Sequence, residues 1–508
     1  MNLLTPKQAA ARGPARASLA VLCALFVSAC SLAPREERPT FDVPAGYAEA
    51  HASPQAEADA SDVAGTWKPA EPADGAVPSP WWNLFADATL VQLQEQALAA
   101  GPDAAIAMAR IQQARTLTAR SQAARFPSLD VGFGPTRQRS SGAERGNGDG
   151  TAGSTQTLWR AQAEVDYEVD LFGKVSAGVA AARADAGQQT ALAQQMLLLV
   201  QADVARTYFS LRQLQAEQTL LRDTVDLRAS AVRILQERLA VGAVAPSLVD
   251  QARTELLDAR TELSALEQQH ALTRHALAVL LGQVPAAFPL QVEDITATTV
   301  QVPAGLPSAL LERRPDIAAA ERAMAADNAR IGVARAAFFP SLSLTGSAGY
   351  ASSELGNLTR WSQRTFLLGP LVGAALNLPL FDGGKRRADV ALAHARHDER
   401  VAEYRRTVLR AFAEVEDALV SIRTLDERQA HAQDAGQTSA RVAAAARARF
   451  DAGDADYLLV VDAERTHLRS RQALIQTEGA RARATVDLVR ALGGGWDARS
   501  AGHPAAAR

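Results

Sequence analysis

The chain of 508 residues consists of two similar halves, and this duplication restricts its fold more than any other feature. Four short motifs of the first half recur in the second half in the same order and at nearly constant spacing. The matching pairs are 126–129 with 339–342, 170–174 with 380–385, 238–242 with 449–453, and 249–254 with 461–466. A repeat of this kind means that one supersecondary unit occurs twice. We predict a first repeat over residues 81–290 and a second over residues 291–495.

Each half has the pattern of a helix, a hairpin of strands, a long helix, a turn and a return helix. Long helices are predicted at about residues 174–240 and 385–450, because apolar residues recur in steps that average about 3.5 residues, as in coiled coils. Each would be about 100 Å long, which no compact core can enclose. We expect each return helix to stack end to end on a pre-hairpin helix. These shorter helices are predicted at about residues 102–125, 247–281, 315–338 and 457–492.

Residues 159–171 alternate without interruption between apolar and polar side chains. A strand with one apolar and one charged face gives this pattern. A soluble sheet would give it too, usually with shorter strands, whereas a strand that crosses a bilayer needs about 9–11 residues. The hairpin of the first repeat is therefore predicted over about residues 128–171. Its other strand is predicted at 128–138 with a polar, glycine-rich loop at 139–150, and the second repeat has strands at about 341–350 and 366–381.

Four strands per chain are too few to close a membrane barrel, since the smallest known barrels have about eight. An open edge in lipid leaves backbone groups unpaired at a cost of several kcal/mol each. If the strands cross a membrane, the chain must therefore oligomerise. Two copies would suffice for closure, and three would give a wider, water-filled barrel. The last strand is the weakest of the four, because Pro370 and Pro379 interrupt it.

The N-terminus has the pattern of an export signal. A basic segment precedes an apolar run that is too short to span a membrane, and the run ends at Cys30 in a sequence that resembles a bacterial lipobox. We predict a lipoprotein signal peptide over residues 1–29 and acylation of the Cys30 thiol, which would anchor the chain in lipid. The alternative is an ordinary secretory signal that happens to contain a cysteine. Ser31 favours transport to the outer membrane.

Amino-acid composition indicates the nature of the remaining segments and of the protein as a whole. Residues 30–80 are rich in proline, alanine and acidic residues, which predicts a lipid-anchored extended linker, and residues 496–508 form a C-terminal tail. The net charge of −3 gives no reason to expect nucleic acid as a partner. Beyond the first thirty residues, no apolar run is long enough to cross a bilayer as a helix.

Five motifs in order give the chain its resemblance to a known family: 81–85, 170–174, 314–317, 335–343 and 380–385. They resemble the TolC-like outer membrane factors, specifically the OprM- and NodT-like lipoproteins of resistance-nodulation-division (RND) efflux systems. The resemblance covers nearly the whole mature chain. It implies a mainly α fold with a membrane β-barrel, in which a duplicated helix–hairpin–helix–helix trimerises into one 12-stranded β-barrel and a long α-helical barrel.

The same resemblance implies a function and a set of partners. The protein would be the outer-membrane channel of a tripartite efflux system, a passive conduit from periplasm to exterior, with its helical part in the periplasm. It would form a homotrimer and bind a periplasmic adaptor (membrane fusion) protein and an inner-membrane RND-type pump. The resemblance implies no enzyme activity and no cofactor.

Asp250 and Asp462 begin the return helices just after the two turns. In a trimer, equivalent carboxylates would form rings that bind cations and titrate as coupled groups. The resemblance places the periplasmic gate here, with Leu458 as an apolar constriction and Arg253 or Arg465 as tethers between helices. A simpler explanation is that aspartates in a first turn complement the helix dipole and pair with an arginine three residues later. Whether Asp250 takes part in the gate stays open.

The turns themselves contain Arg238 and Gly242 in the first repeat, and Arg449 and Gly453 in the second. The resemblance implies that these tips contact the adaptor. The alternative is that the two glycines are present only to end the long helices as C-caps. Both roles can hold together.

Three hypotheses for the function follow. The first is a channel for small molecules, either drugs or metal ions; the second is a channel for type I protein secretion; the third is a non-conducting periplasmic coiled-coil scaffold. The sequence favours the first but names neither the transported compound nor the partner pump. No metal site is predicted, because His394 and His397 lack a further ligand beside them.

Overall fold

The structure is a computed structural model, which describes residues 32–35, 39, 46–49, 80–140, 154–290, 292, 295, 313–363, 365–368 and 373–494. The predicted signal peptide, Cys30, most of the predicted linker and the C-terminal tail from residue 496 lie outside the described residues. So do residues 141–150 of the predicted hairpin loop.

Seven α-helices and five strands lie within the described ranges. None of these helices combines the length and the apolar composition needed to cross a bilayer. In chain order the elements are α1 (Ala88–Ala100), α2 (Pro102–Ala123), β1 (Ser128–Ser140), β2 (Ser154–Val169), α3 (Lys174–Ala240), α4 (Pro246–Leu280), α5 (Pro315–Ala336), β3 (Ser341–Ser352), β4 (Thr365–Leu368), β5 (Gly373–Asn377), α6 (Lys385–Asp451) and α7 (Tyr457–Ala491).

The two repeats have helices of equal length. Both long helices, α3 and α6, contain 67 residues. Both return helices, α4 and α7, contain 35 residues. Both pre-hairpin helices, α2 and α5, contain 22 residues. Because α3 and α6 begin at Lys174 and Lys385, equivalent positions along them differ by 211 in residue number.

Each return helix ends directly against the start of a pre-hairpin helix. Gly282 follows α4 with a φ of +69°, and a Cβ there would lie 2.4 Å from the carbonyl oxygen of Ala100. Gly493 follows α7 with a φ of +89°, and a Cβ there would lie 3.0 Å from the carbonyl oxygen of Arg313. Only glycine combines a left-handed backbone with such close approach, so these two residues make the end-to-end junction possible.

The strands form one antiparallel sheet in the order β1-β2-β3, and both β4 and β5 pair with β3. Leu129 lies opposite Val165 in the first hairpin, and Val165 lies opposite Gly346 in the next pair of strands. The predicted alternation along β2 therefore places its apolar residues on one face of the sheet and its charged residues on the other.

The last strand differs from the prediction of one continuous strand over 366–381. It consists of β4 and β5, and the described residues after Asn377 have no strand pairing. Ala348 pairs with Leu368, while Leu344, four residues back along β3, pairs with Ala374. From Leu368 to Ala374 the last strand therefore advances by six residues, while β3 advances by four. Pro379 cannot donate a ladder hydrogen bond, which accounts for the early end of the strand.

One compact unit contains the sheet and the helix segments next to it: Met1–Pro39, Gln112–Gln188 and Glu321–Glu403. It contains the buried carboxylate of Asp327, which binds the guanidinium groups of Arg330 at 2.6 Å and Arg400 at 3.1 Å. Arg330 also pairs with Asp185 at 2.5 Å, so α3, α5 and α6 are joined by one network of charges.

The second unit consists of Thr40–Ile111, Gln189–Ala320 and Tyr404–Arg508. Its largest core surrounds Trp81, whose indole N–H donates to Gln201 Oε1 at 3.2 Å. Asp87 caps α1, which the sequence did not predict as a separate helix, and pairs with Arg212 at 2.9 Å. Tyr47, from the predicted linker, is buried in a smaller core of this unit formed with α6 and α7.

Candidate functional site

The two turns that follow the long helices have the same backbone geometry. Gly242 and Gly453 have φ values of +73° and +77°. Ala243 N–H donates to the carbonyl of Arg238 at 2.8 Å, and Asp454 N–H donates to the carbonyl of Arg449 at 2.8 Å. These bonds close a Schellman motif, which satisfies the last carbonyl groups of a helix. Pro246 then starts α4, since proline fits the first turn of a helix.

An apolar cluster packs the helices together next to these turns. It joins residues of α3, α4 and α7: Val232, Leu235, Val249, Ala252, Leu256, Tyr457, Val460 and Val461. The Arg238 guanidinium lies 5.4 Å from the centre of the Phe450 ring and 3.9 Å from the carboxylate of Asp451. The end of α3 therefore contacts the end of α6 through a cation–π contact and a long ion pair.

A buried carboxylate, Glu255, lies in α4 beside this cluster, between Ala252 and Leu256. Arg228 of α3 donates to the backbone carbonyl of Glu255 at 2.7 Å and has its guanidinium 3.5 Å from the Glu255 carboxylate. Arg465 of α7 donates its Nε–H to Glu255 Oε2 at 3.0 Å, and its Nη2 binds Oε1. Three helices are thus tied to one carboxylate, which keeps a buried charge paired.

Glu464 is a second carboxylate of this region and lies partly buried beside Arg447, 3.6 Å away. Burial raises the pKa of Glu464 above its ordinary value, and the negative charge of Glu255 adds to the shift. Arg447 and Arg228 act in the opposite direction, because positive charges favour the ionised carboxylate. Burial also raises the pKa of Tyr457.

The predicted gate residues occupy the exposed sides of the return helices. Asp250, Asp462, Leu458 and Arg253 are exposed in the single chain. Leu458 and Asp462 are four residues apart and share one face of α7. In the described part of the chain, Asp250 and Asp462 do not contact each other and do not share an arginine partner.

Arg465 is the predicted residue whose position the structure defines most clearly, because it binds Glu255. Sequence reasoning singled out Arg465 but not its partner. The available signal was Glu255 itself, a charged residue between buried Ala252, Leu256 and Ala259 on the packed face of α4. A charge on such a face requires a partner from another helix.

The two pairs of tip residues differ in their surroundings. Arg449 lies exposed and pairs with Asp454 at 3.2 Å within its own turn, whereas Arg238 is half-buried against Phe450. Nothing lies within 4 Å of a Cβ placed on Gly242 or Gly453, so both turns leave open space in front of the backbone. Within the described ranges, no three His, Cys, Asp or Glu side chains are placed to hold a metal ion.

The sequence profile described as outer membrane efflux protein matches residues 93–283 and 306–494. The chain belongs to this family. Its two matched segments correspond to the two repeats seen in the helices and strands. Outer membrane protein OprJ of Pseudomonas aeruginosa is 35% identical over 499 residues, which cover 96% of this chain and 97% of OprJ.

Two further outer membrane proteins are similar to this chain over nearly its whole length. The toluene efflux pump outer membrane protein TtgF of Pseudomonas putida is 32% identical over 94% of this chain and 97% of its own length. The crystal structure of the outer membrane channel CmeC of Campylobacter jejuni has a TM-score of 0.79 and 25% identity, covering 92% of this chain and 96% of that chain.

These similarities confirm the TolC-like fold class, the outer-membrane location and the efflux-channel function that the sequence predicted. The family is one of transport components. The match to channel proteins over nearly the whole chain favours a channel over a non-conducting scaffold.

Proposed function

We propose that three copies of this chain form the outer-membrane conduit of a tripartite efflux system, in which a periplasmic adaptor protein and an inner-membrane RND-type pump deliver small solutes to it. Each copy contributes the repeats at 81–290 and 291–495 and is anchored by acylated Cys30. The observation that carries the proposal is the open sheet, whose edges, β1 on one side and β4 with β5 on the other, have no further strand partner within the described residues. Such a sheet becomes stable in lipid only when further copies close it.

The periplasmic gate lies at the return helices near the turns. Leu458 and Asp462 lie exposed on one face of α7, and Arg465 holds this helix to α4 through Glu255. Three copies place Asp462 in a ring of like charges, with the Leu458 side chains one turn away as an apolar constriction. Asp250 and Arg253 occupy the matching exposed positions on α4 and line the same entrance.

The adaptor contacts the turns that contain Arg238, Gly242, Arg449 and Gly453. The open space in front of both glycines supports this assignment, because a partner backbone can approach there without meeting a side chain. Arg449 is also exposed at its turn, where its guanidinium can donate to a carbonyl or carboxylate of the adaptor.

The transported solutes are small organic compounds, chosen mainly by the pump. The similarity to the toluene efflux protein TtgF supports this class. Deletion of the gene should lower resistance to toluene and to hydrophobic dyes, and the wild-type gene should restore it. Restored secretion of a protein without restored resistance would instead point to type I secretion.

The gate is tested by single-channel recording of the purified trimer in planar lipid bilayers. Asp462→Ala should raise the conductance several-fold, because the entrance loses the carboxylates that bind cations between the three copies. Asp434→Ala, at an exposed position of α6, is the matched control and should leave the conductance unchanged. Equal conductance of the wild type and Asp462→Ala in well-folded trimers would contradict the gate assignment.

A further inference from the structure

An aromatic band crosses the sheet near the end farthest from the helices. Residues that lie opposite one another on β1, β2, β3 and β4 form one row on the apolar face: Phe133, Ala161, Tyr350 and Phe366. The ring centre of Phe133 lies 6.0 Å from that of Trp159, and the rings are stacked. The rings of Tyr350 and Phe366 meet edge to face at 5.0 Å. Aromatic rings collect where the apolar interior of a bilayer meets its headgroups, so this band marks a membrane boundary.

The boundary that the band marks is the outer one. Strand β1 runs away from α2 and ends at Ser140, and β2 starts at Ser154 and returns towards α3. With the helices in the periplasm, the end of the sheet at these two serines points out of the cell. Leu129 and Val131 are exposed on the same face of β1, on the helical side of the band. The apolar part of the bilayer therefore lies on that side, and its outer headgroups begin at the band.

Two arginines follow on the same face of β1, beyond the band. Side chains alternate along a strand, so Arg137 and Arg139 share the face of Phe133. Arg137 lies opposite Thr157 and Arg139 lies opposite Thr155, and all four side chains are exposed. Neither arginine forms an ion pair with a described residue, and the described parts of β1 and β2 have no acidic side chain on this face beyond the band. This part of the sheet therefore presents only hydrogen-bond donors with positive charge and neutral hydroxyls.

These two arginines depart from the charge pattern of the rest of the hairpin. Closer to the helices, the acidic residues lie on the other face, where Asp130 lies opposite Glu164 and Asp166 lies opposite Ser128. An arginine on the lipid face costs about 2–4 kcal/mol at the middle of the bilayer and about 0–1 kcal/mol near its interfaces. Because they lie on the lipid face, both arginines must lie outside the hydrocarbon layer.

The distance of the arginines from the band indicates the kind of lipid. Arg137 and Arg139 follow Phe133 by four and six residues, which is about 14 and 20 Å along a strand. With a strand tilt of about 40°, they lie about 10 and 15 Å farther from the bilayer centre than Phe133. The headgroup layer of an ordinary bilayer is only about 5–8 Å thick on each side. The arginines therefore lie at the level of a larger lipid headgroup, such as the phosphorylated sugars of lipopolysaccharide.

We propose that Arg137 and Arg139 bind phosphate groups of lipopolysaccharide in the outer leaflet. A guanidinium group has parallel N–H donors that match two oxygens of one phosphate. The two arginines are two residues apart on one face, about 7 Å, so they can bind one phosphate together or two neighbouring ones. The hydroxyls of Thr155 and Thr157 add donors for phosphate or sugar oxygens. The inference rests on the proposed function as a membrane conduit and adds a lipid partner to its first hairpin.

Binding is measured by titrating the purified full-length protein in detergent micelles with fluorescently labelled lipopolysaccharide, its enzymatically dephosphorylated form, and phosphatidylglycerol. The wild type should bind lipopolysaccharide about tenfold more tightly than either of the others, because only this lipid carries phosphates at the right height. Arg137→Gln with Arg139→Gln should remove this preference and leave the binding of the dephosphorylated form unchanged. Arg137→Lys with Arg139→Lys should retain binding within about threefold, since the charge stays and only the paired donors are lost.

Two further variants are the controls. Arg233→Gln with Arg428→Gln removes the same charge from exposed positions of the long helices and should bind lipopolysaccharide as the wild type does. Thr136→Arg, added to the variant with glutamine at 137 and 139, returns a positive charge to β1 on the opposite face. It should not restore binding, because that face does not meet the lipid.

Equal binding by the wild type and the double glutamine variant would overturn the proposed site, and so would restored binding with Thr136→Arg. Phosphatidylglycerol that binds as tightly as lipopolysaccharide would overturn the choice of lipid. Single-channel recording of each variant separates these results from the proposed function. Unchanged conductance together with unchanged lipid binding would reject the lipid site and leave the channel intact, whereas a well-folded wild type without conductance would overturn the proposed function itself.

Discussion

Arg253 and Arg465 occupy equivalent positions of the two return helices, but their surroundings differ. Arg465 reaches the buried Glu255 of the other repeat, whereas no ion pair of Arg253 occurs within the described ranges. The motifs 249–254 and 461–466 differ by 212 in residue number, so the position equivalent to Glu255 in the second repeat is His467. The Nδ1 of His467 lies 3.1 Å from the hydroxyl of Ser439. Two repeats with helices of equal length therefore have different electrostatic contacts, because each repeat has a different neighbour within the chain.

This comparison separates two kinds of contact between helices. The contact between α4 and α7 is an ion pair to a buried carboxylate. The contact of His467 with α6 is a neutral hydrogen bond to a hydroxyl.

The largest expected effect is a difference in stability between leucine variants of the two long helices, α3 and α6. Leu198 of α3 is 6% exposed, while Leu409, at the equivalent position of α6, is 63% exposed. Leu198→Ala should lower the free energy of unfolding by about 3 kcal/mol, because it leaves a cavity in a packed core. Leu409→Ala should leave the isolated subunit unchanged, since that side chain is exposed, and should lower the temperature at which oligomers dissociate. Urea unfolding of monomers and heat dissociation of oligomers measure the two effects. Equal losses for both variants in the monomer would contradict the assigned difference.

Glu255→Ala should have the next largest effect, on the order of 2 kcal/mol, because it leaves the partly buried Arg228 without its carboxylate. The variant should also raise the single-channel conductance, since α7 loses its tie to α4. His467→Ala is the matched variant at the equivalent position, and its cost should be less than half as large. A Glu255→Ala channel with wild-type conductance would show that this tie does not restrain the gate.

A smaller difference in the free energy of unfolding is expected between variants of Arg465 and Arg253. Arg465→Ala should cost about 1 kcal/mol, since this side chain is half exposed but donates two hydrogen bonds to a carboxylate. Arg253→Ala should change the stability by less than about 0.5 kcal/mol, as for most exposed positions. Urea midpoints of the two variants under the same conditions compare them directly. A larger loss for Arg253→Ala would mean that its partner is a neighbouring copy.

The smallest effect is a pH dependence from Glu464. Its pKa is raised above the ordinary value of 4.5, so the protonated form is favoured in the folded chain. The stabilising contribution is complete below pH 4.5 and is lost as the pH rises through the raised pKa. Glu464→Gln should match the wild type at low pH and be more stable above this range. Urea midpoints from about pH 4 to pH 8 check the sign, and a variant less stable than the wild type at neutral pH would contradict it.

Much of the fold could be predicted because its signals are local. The alternation along β2, the coiled-coil spacing along α3 and the glycines after each long helix all act over a few residues. The prediction of the last strand over 366–381 was wrong at its C-terminal end, because the strand ends at Asn377 and Pro379 cannot donate a further ladder hydrogen bond. Helix α1 was missed, although its N-cap is a local signal, in which Asp87 accepts a hydrogen bond from the N–H of Leu90.

The candidate site was predictable only in part. The turns and the exposed aspartates follow from the repeat and from the family resemblance, and their role in gating stays a prediction. Glu255 was missed, because a glutamate in a long helix is usually exposed and nothing in the neighbouring residues indicates Arg465, which is distant in the sequence.

The sequence by itself determined the duplication, the lengths of the paired helices, the turns and the two faces of the strands, because these depend on spacing and on backbone preferences of single residues. Only the tertiary structure decided which member of each repeated pair is buried and which charges meet. Leu198 and Leu409 are the same residue type at equivalent positions of equal helices. One is buried and the other exposed, because burial depends on which helix lies alongside, and that neighbour comes from another part of the chain.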